Sequence, residues 1–204
     1  MATTGTGFVP VRVNGQRDVG QTSDFWIANA DSVNIFKNDM AQVTVLGQLE
    51  LCATVADGDS GLCVGSFNGC EYTNTDGQIV QSHYYPATQS VDGMLGFVYT
   101  NPQTIYSVKI QSSGVDTTSL RTVIAACVDN EDANAGSTTT GLSAQSINIA
   151  SVADAGNHKI VGLHNPLGSD SPSLAVASST TYTHALVIIS PNLHYFAGSI
   201  GNTA

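Results

Sequence analysis

Apolar and polar residues in this chain alternate in short runs with a period of two, and no stretch sustains the three-and-four spacing of an amphipathic helix. From Ser32 onward the runs VNIF, QVTVLGQLELCATV, GLCVGSF and GQIVQSHYY follow one another, rich in β-branched and aromatic residues. The turn dipeptides Asp57-Gly58, Asn68-Gly69 and Asp76-Gly77 punctuate them. GMLGFVYT, an Asn101-Pro102 turn and TIYSVKIQ come next; in the last run Tyr106, Val108 and Ile110 oppose Ile105, Ser107, Lys109 and Gln111, the mark of a half-buried strand. TVIAACV, SINIASV, HKIVGLH, HALVII and a closing LHYFAGSI bring the expected total to about ten to twelve strands. The best helical candidate is SSGVDTTSLRT, residues 112–122, with Asp116 or Thr117 as its cap. Short strands at this spacing, with Gly and Asn turns, predict an all-β fold: an antiparallel β-barrel or β-sandwich with at most one or two short helices. No repeat of fixed period is visible, which disfavours propellers and solenoids.

The first 30 residues read differently. Gly5, Gly7, Pro10, Gly15 and Gly20 punctuate them, and FVPVRV alternates without helical spacing. The expectation is an extended N-terminal arm over residues 1–30, followed by a single β-rich body over 31–204 that can divide into two small lobes. Arms of this kind lie on partners; the alternative is a first strand tucked into the body. Charge supports a distinct N-terminal stretch. Up to Lys37, three basic residues (Arg12, Arg17, Lys37) balance Asp18, Asp24 and Asp31, so the whole formal charge of -10 falls on the remainder.

Composition removes several classes. With 204 residues, 42% of them apolar and only 11% charged, the chain can build one domain with a real core. Ser, Thr, Asn and Gln supply about a third of it, which excludes a long helix or coiled coil. Six basic against sixteen acidic residues exclude a general nucleic-acid binder, which needs a surface that neutralises phosphates. No run approaches the roughly 18 to 20 apolar residues that span a bilayer, and MATTGTGFVPVR lacks a charged region followed by a hydrophobic one. The expected place of synthesis is therefore the cytosol, with no membrane partner. In that reducing compartment Cys52, Cys63, Cys70 and Cys127 are expected as buried thiols, not bridges.

Candidate chemistry is thin. Gly58-Asp59-Ser60-Gly61 matches the surroundings of the trypsin-like nucleophile, but Leu62 replaces the second glycine and no histidine precedes Ser60, so a turn is the better reading. Cys63, Cys70, His83, His158, His164, His184 and His194 contain no Cys-x-x-Cys or His-x-x-x-His pair and match no zinc cage. Asp129-Asn130-Glu131-Asp132 and Asn74-Thr75-Asp76-Gly77 offer oxygen ligands for calcium, though solvated acidic turns account for them better. Three glutamates and one tryptophan give little footing for glycoside hydrolysis or sugar stacking. Phosphate-loop and dinucleotide fingerprints are absent. The expectation is a chain with no catalytic residues, no metal and no cofactor.

Several stretches together carry a resemblance: GTGFVPVR; GSFNGCEYTNTDGQIVQSHYYPA, with its Gly69-Cys70-Glu71-Tyr72 turn and Tyr84-Tyr85-Pro86; GFVYTNPQTIYSVKIQ; HKIVGLHNPLG; and HALVIISPNLHYFAGS. They resemble a family of small virion proteins of tailed phages, in particular marine and cyanobacterial podovirus-like ones, known as head decoration or cement proteins. The family's asparagine-glutamate-histidine near the C-terminus stands here as Asn192-Leu193-His194. The resemblance implies a non-enzymatic structural protein, made in the host cytoplasm, that binds the outer surface of the assembled capsid. Its partner would be the phage major capsid protein, and its assembly a homotrimer at three-fold or quasi-three-fold positions. Combined with the arm, it designates Phe8, Val9, Val11, Arg12, Arg17, Phe25, Trp26 and Ile27 as capsid-binding residues. The alternative from another class is a virion adhesin, a receptor- or glycan-binding module, which would show an exposed aromatic and acidic pocket.

Overall fold

The computed structural model describes residues 7–13, 22–27, 33–52, 62–87, 93–111, 123–131, 136–149, 156–164 and 184–196. They form an all-β molecule of seventeen short strands. In chain order these are β1 (Val9–Val13), β2 (Thr22–Trp26), β3 (Ile35–Phe36), β4 (Met40–Val43), β5 (Leu49–Leu51), β6 (Leu62–Thr73), β7 (Ile79–Ser82), β8 (Tyr84–Tyr85) and β9 (Leu95–Tyr99). There follow β10 (Thr104–Ile110), β11 (Cys127–Val128), β12 (Asn130–Glu131), β13 (Gly136–Ser137), β14 (Leu142–Ser143), β15 (Ser146–Ile147), β16 (His158–His164) and β17 (His184–Ile189). The helical candidate at 112–122 lies outside the described residues.

The larger sheet runs β11-β16-β17-β10-β15-β12, with β1 also on β10. Its two terminal strands, β11 and β12, are consecutive in the chain and separated by Asp129 alone. One segment therefore pairs with β16 through Cys127 and Val128, and with β15 through Asn130 and Glu131, and the sheet curls back on itself as a small, nearly closed barrel. Side-chain hydrogen bonds hold the seam: Asp129 Oδ1 accepts from the Asn157 amide at 3.0 Å, Asn157 Nδ2 donates to Asn130 Oδ1 at 3.1 Å, and Asn130 Nδ2 donates to the Cys52 carbonyl at 2.9 Å. Tyr106, Val108 and Ile110 point into the barrel as their alternation predicts, beside Ile147, Ile160, Leu163, Ala185, Val187 and Ile189. In β16 a register shift between Ile160 and Gly162 changes phase, so both Ile160 and Leu163 face inward.

The second sheet runs β2-β9-β6-β4-β5, with β7 also on β6, and a parallel bridge from Ile27 to Leu49 brings its two ends together. The twelve-residue β6 is its spine. One edge takes β4 at Leu62–Ser66 and β7 at Cys70–Thr73, while the other takes β9 across a register shift between Phe67 and Gly69. Period-two alternation makes this sheet a wall between two cores. Met40 and Cys63 face the first barrel; Ala41, Val43, Val64, Phe67 and Cys70 face a second cluster with Leu49, Tyr85 and Val98.

The N-terminal segment is extended, but its described parts are built into the body. β1 pairs antiparallel with β10, β2 pairs antiparallel with β9, and Phe8 is buried in the first core. Over the described residues this is the second of the two expectations, a first segment tucked into the body. The physical reason is that Phe8 and Ile27 fill the two cores. Pro10 fits because β1 is an edge strand, and the register shift between Pro10 and Arg12 absorbs its missing N–H. The QVTVLGQLELCATV run is likewise not one strand: it turns at Thr44–Gln48, where Gly47 takes φ +76° and the Thr44 amide donates to the Gln48 carbonyl at 2.8 Å.

Candidate docking surface

Strand β2 lies beside β9 from Thr22 opposite Tyr99 to Trp26 opposite Leu95. Along it Phe25 packs against the second core and Ile27 is buried there, whereas Asp24 and Trp26 alternate outward; Trp26 is 58% exposed. A second group of aromatics arrives from the C-terminal segment. After β17 the Ser190 hydroxyl donates to the Gly156 carbonyl at 2.6 Å, and Pro191 opens a 3-10 turn through Leu193. The expected closing strand LHYFAGSI is thus replaced over its described residues by a turn, since proline has no N–H for a strand ladder and its fixed φ suits the start of a helical turn.

His194 then bridges Cys63 in parallel sense, the Tyr195 amide donates to the Cys63 carbonyl at 2.9 Å, and the Phe196 amide donates to His194 Nδ1 at 3.0 Å. Burial pushes the His194 imidazole down to about 4, so it stays neutral and able to accept that bond at Nδ1. The turn is held from inside while Tyr195 and Phe196 remain 43% and 53% exposed. Their rings meet edge-to-face at 4.9 Å, and Phe196 lies 6.5 Å from Phe25. The Ile27–Leu49 bridge sets the base of the Thr44–Gln48 turn beside the end of β2, and that turn carries the exposed Val45 and Leu46. Tyr195 and Phe196 thus form an exposed aromatic pair reaching Phe25, and Trp26, Val45, Leu46 and Ile79 are further large apolar side chains left exposed.

The eight residues designated by the sequence divide. Phe8 and Ile27 are core residues and unavailable to a partner, which corrects their assignment. Val9, Val11 and Arg12 are half-buried in β1, Phe25 is half-buried beside Phe196, and Trp26 is exposed. Arg17 lies outside the described residues, as do Ser60 and its Gly-Asp-Ser-Gly turn. Val45, Leu46, Tyr195 and Phe196 were not among the eight. The only sequence signal for them is an apolar pair before Gly47 and an aromatic pair shortly after Pro191.

The acidic turns have structural duties. Asp129 and Asn130 serve the barrel seam, and Asn74 Oδ1 accepts from the amides of Asp76 and Gln78 within its own turn. Among the described residues no group of three or more His, Cys, Asp or Glu side chains is placed to hold a metal ion, and no helix is long and apolar enough to cross a membrane.

No family model, curated protein or solved structure matches the chain. The surface around β2 must therefore be read from its own chemistry: large apolar side chains, a strongly acidic molecule around them, and a rigid β scaffold beneath.

Proposed function

We propose that this protein is a non-enzymatic virion component, a decoration protein that binds the outer surface of an assembled phage head and stabilises it across capsid subunits. The observation that supports this best is the exposure of large apolar side chains, Trp26, Val45 and Leu46 together with the Tyr195–Phe196 pair that reaches Phe25 of β2. Apolar and aromatic groups of this size, left in water on a chain of formal charge -10, are the composition of an interface centre. The earlier assignment of Trp26 as a contact residue is retained, with the C-terminal aromatics in the places given to Phe8 and Ile27. Assembly as a trimer on the major capsid protein would multiply modest contacts into avidity.

The test is co-sedimentation with capsids lacking the protein. Trp26→Ala and Phe196→Ala are each expected to weaken binding by about 10- to 30-fold, the cost of truncating an aromatic hot spot. Ile79→Ala, removing an exposed apolar group away from β2, should leave binding unchanged. Deleting residues 1–30 is not an equivalent experiment, because it removes two strands and a core phenylalanine. Failure of the unaltered chain to bind capsids would overturn the reading. The adhesin alternative draws on Asp24, exposed on the same strand face as Trp26; binding to host-cell glycans in place of capsids would favour it.

A further inference from the structure

We propose that Cys52 and Cys63 form a redox staple, a pair of core thiols that closes to an intramolecular disulfide when the chain meets a low-molecular-weight disulfide. Their sulfurs lie 2.8 Å apart, and both residues are buried in the first core. A disulfide bond is about 2.05 Å long, so closure asks for a movement of less than about 1 Å. Both residues are anchored in place. The Cys52 amide donates to the Met40 carbonyl at 2.9 Å, its carbonyl accepts from Asn130 Nδ2, and Asn157 Nδ2 lies 3.8 Å from its sulfur. Cys63 is paired in β6 opposite Gln42 and is flanked on its other side by the His194 bridge. The remaining cysteines sit elsewhere: Cys70 faces the second core with its thiol on the Tyr84 carbonyl at 3.4 Å, and the partly exposed Cys127 lies in β11 at the barrel seam.

The chemistry balances as two exchanges. One cysteine thiolate attacks a small disulfide, RSSR, releasing one RSH and leaving a mixed disulfide on the protein. The second thiolate attacks the protein sulfur of that mixed disulfide and releases the second RSH. Two S–H bonds are lost and one S–S bond is formed, and the two electrons given up reduce RSSR to two thiols. The hydrogen bond with the Cys63 thiol, and then burial, hold the Cys52 pKa well above its ordinary value, so thiolate is scarce in the closed fold. The exchange therefore proceeds while the core is forming or transiently open, and the finished bond is shielded from reductant. It joins the end of β5 to β6 within the wall between the two cores. Cys63 also anchors the backbone of the segment bearing Tyr195, but the proposal does not depend on the docking reading.

To test it, the full chain is refolded from denaturant with oxidised glutathione or with dithiothreitol, quenched with N-ethylmaleimide under denaturing conditions, and mapped by mass spectrometry. The oxidised sample is expected to yield a Cys52–Cys63 linked peptide lighter by two hydrogens, with Cys70 and Cys127 alkylated. Reduction of that link by dithiothreitol should be at least about tenfold slower in the folded protein than in denaturant. Cys63→Ser should remove both the link and any difference in thermal midpoint between the two samples. Alkylation of all four cysteines in the oxidised sample would overturn the proposal, as would links from Cys52 to Cys70 or Cys127 as frequent as those to Cys63. The map of the unaltered chain decides the matter even where the serine variant fails to fold.

Discussion

Gly65→Ala is expected to destabilise the fold by about 4 kcal/mol, at the upper end of what one methyl group costs. Gly65 sits in β6 with φ +149°, a conformation that side chains rarely adopt, and a Cβ built there collides with the Tyr99 carbonyl oxygen. That oxygen is backbone in the neighbouring strand β9, so it cannot swing aside as a flexible side chain would. Relief requires separating β6 from β9, and β6 is the spine of the wall between both cores. Urea unfolding should show the midpoint falling sharply with little change in slope. Gly77→Ala is the matched control: φ is +77°, nothing lies within 4 Å of its built Cβ, and about 1 kcal/mol is expected from backbone conformation alone. Equal losses at the two sites would show that the close approach to Tyr99 is not the cause.

The second large effect is a loss of stability in acid. His158 is fully buried, its ring tilted against Phe8 at 4.6 Å, and burial pushes its imidazole down to about 3 from the ordinary 6.5. His194 is held at about 4 by the same cause. Between pH 6.5 and 4 the unfolded chain takes up both protons and the folded chain neither, so each histidine drains stability as pH falls. Asp39 acts in the opposite direction. Burial raises its carboxyl to about 7, against hydrogen bonds from the Ser143 hydroxyl and the Phe36 amide. From pH 7 down to 3.8 the folded state holds a proton there that the unfolded state lacks, so acidification restores stability at this site. One net proton remains. Together the three groups should remove ~1.4 kcal/mol per pH unit below 6.5, or about 3 kcal/mol by pH 4. His158→Phe should flatten this interval, because His194 and Asp39 then cancel. Asp39→Asn should raise stability at pH 8 and roughly double the acid slope. Unfolding free energies measured from pH 4 to 8 test both, and a wild-type slope in His158→Phe would refute the assignment.

Residues that form strands in the middle of the chain announce themselves in the sequence. TIYSVKIQ alternates strictly enough to assign both strand and inward face, whereas HKIVGLH, which shifts register, and HALVII, buried at Ala185, Leu186 and Val187 in succession, are legible as strands alone. The N-terminal segment was harder to place, since a strand at a sheet edge and an arm lying on a partner share the same extended, proline-tolerant pattern. Only pairing with β10, nearly a hundred residues away in sequence, separates them. The surface around β2 was half legible. Trp26 stands out as the single tryptophan, but Tyr195 and Phe196 look like strand residues until Pro191 is seen to start a turn. Cys52 and Cys63 belong to different apolar runs, and their proximity depends on the curl of the second sheet, which period-two patterning does not encode.

The seam at Asp129 fixes when the larger barrel can be completed as well as how. β17 lies between β10 and β16, so no ring exists until residues 184–189 have joined the sheet. Until then β10 and β16 each present an unpaired edge, and β1 covers only the other side of β10. Such long-range pairing makes for slow closure and a growing chain that is vulnerable to edge-to-edge association. β17 is thus the keystone of this barrel: the strand that turns an open, adhesive sheet into a sealed one.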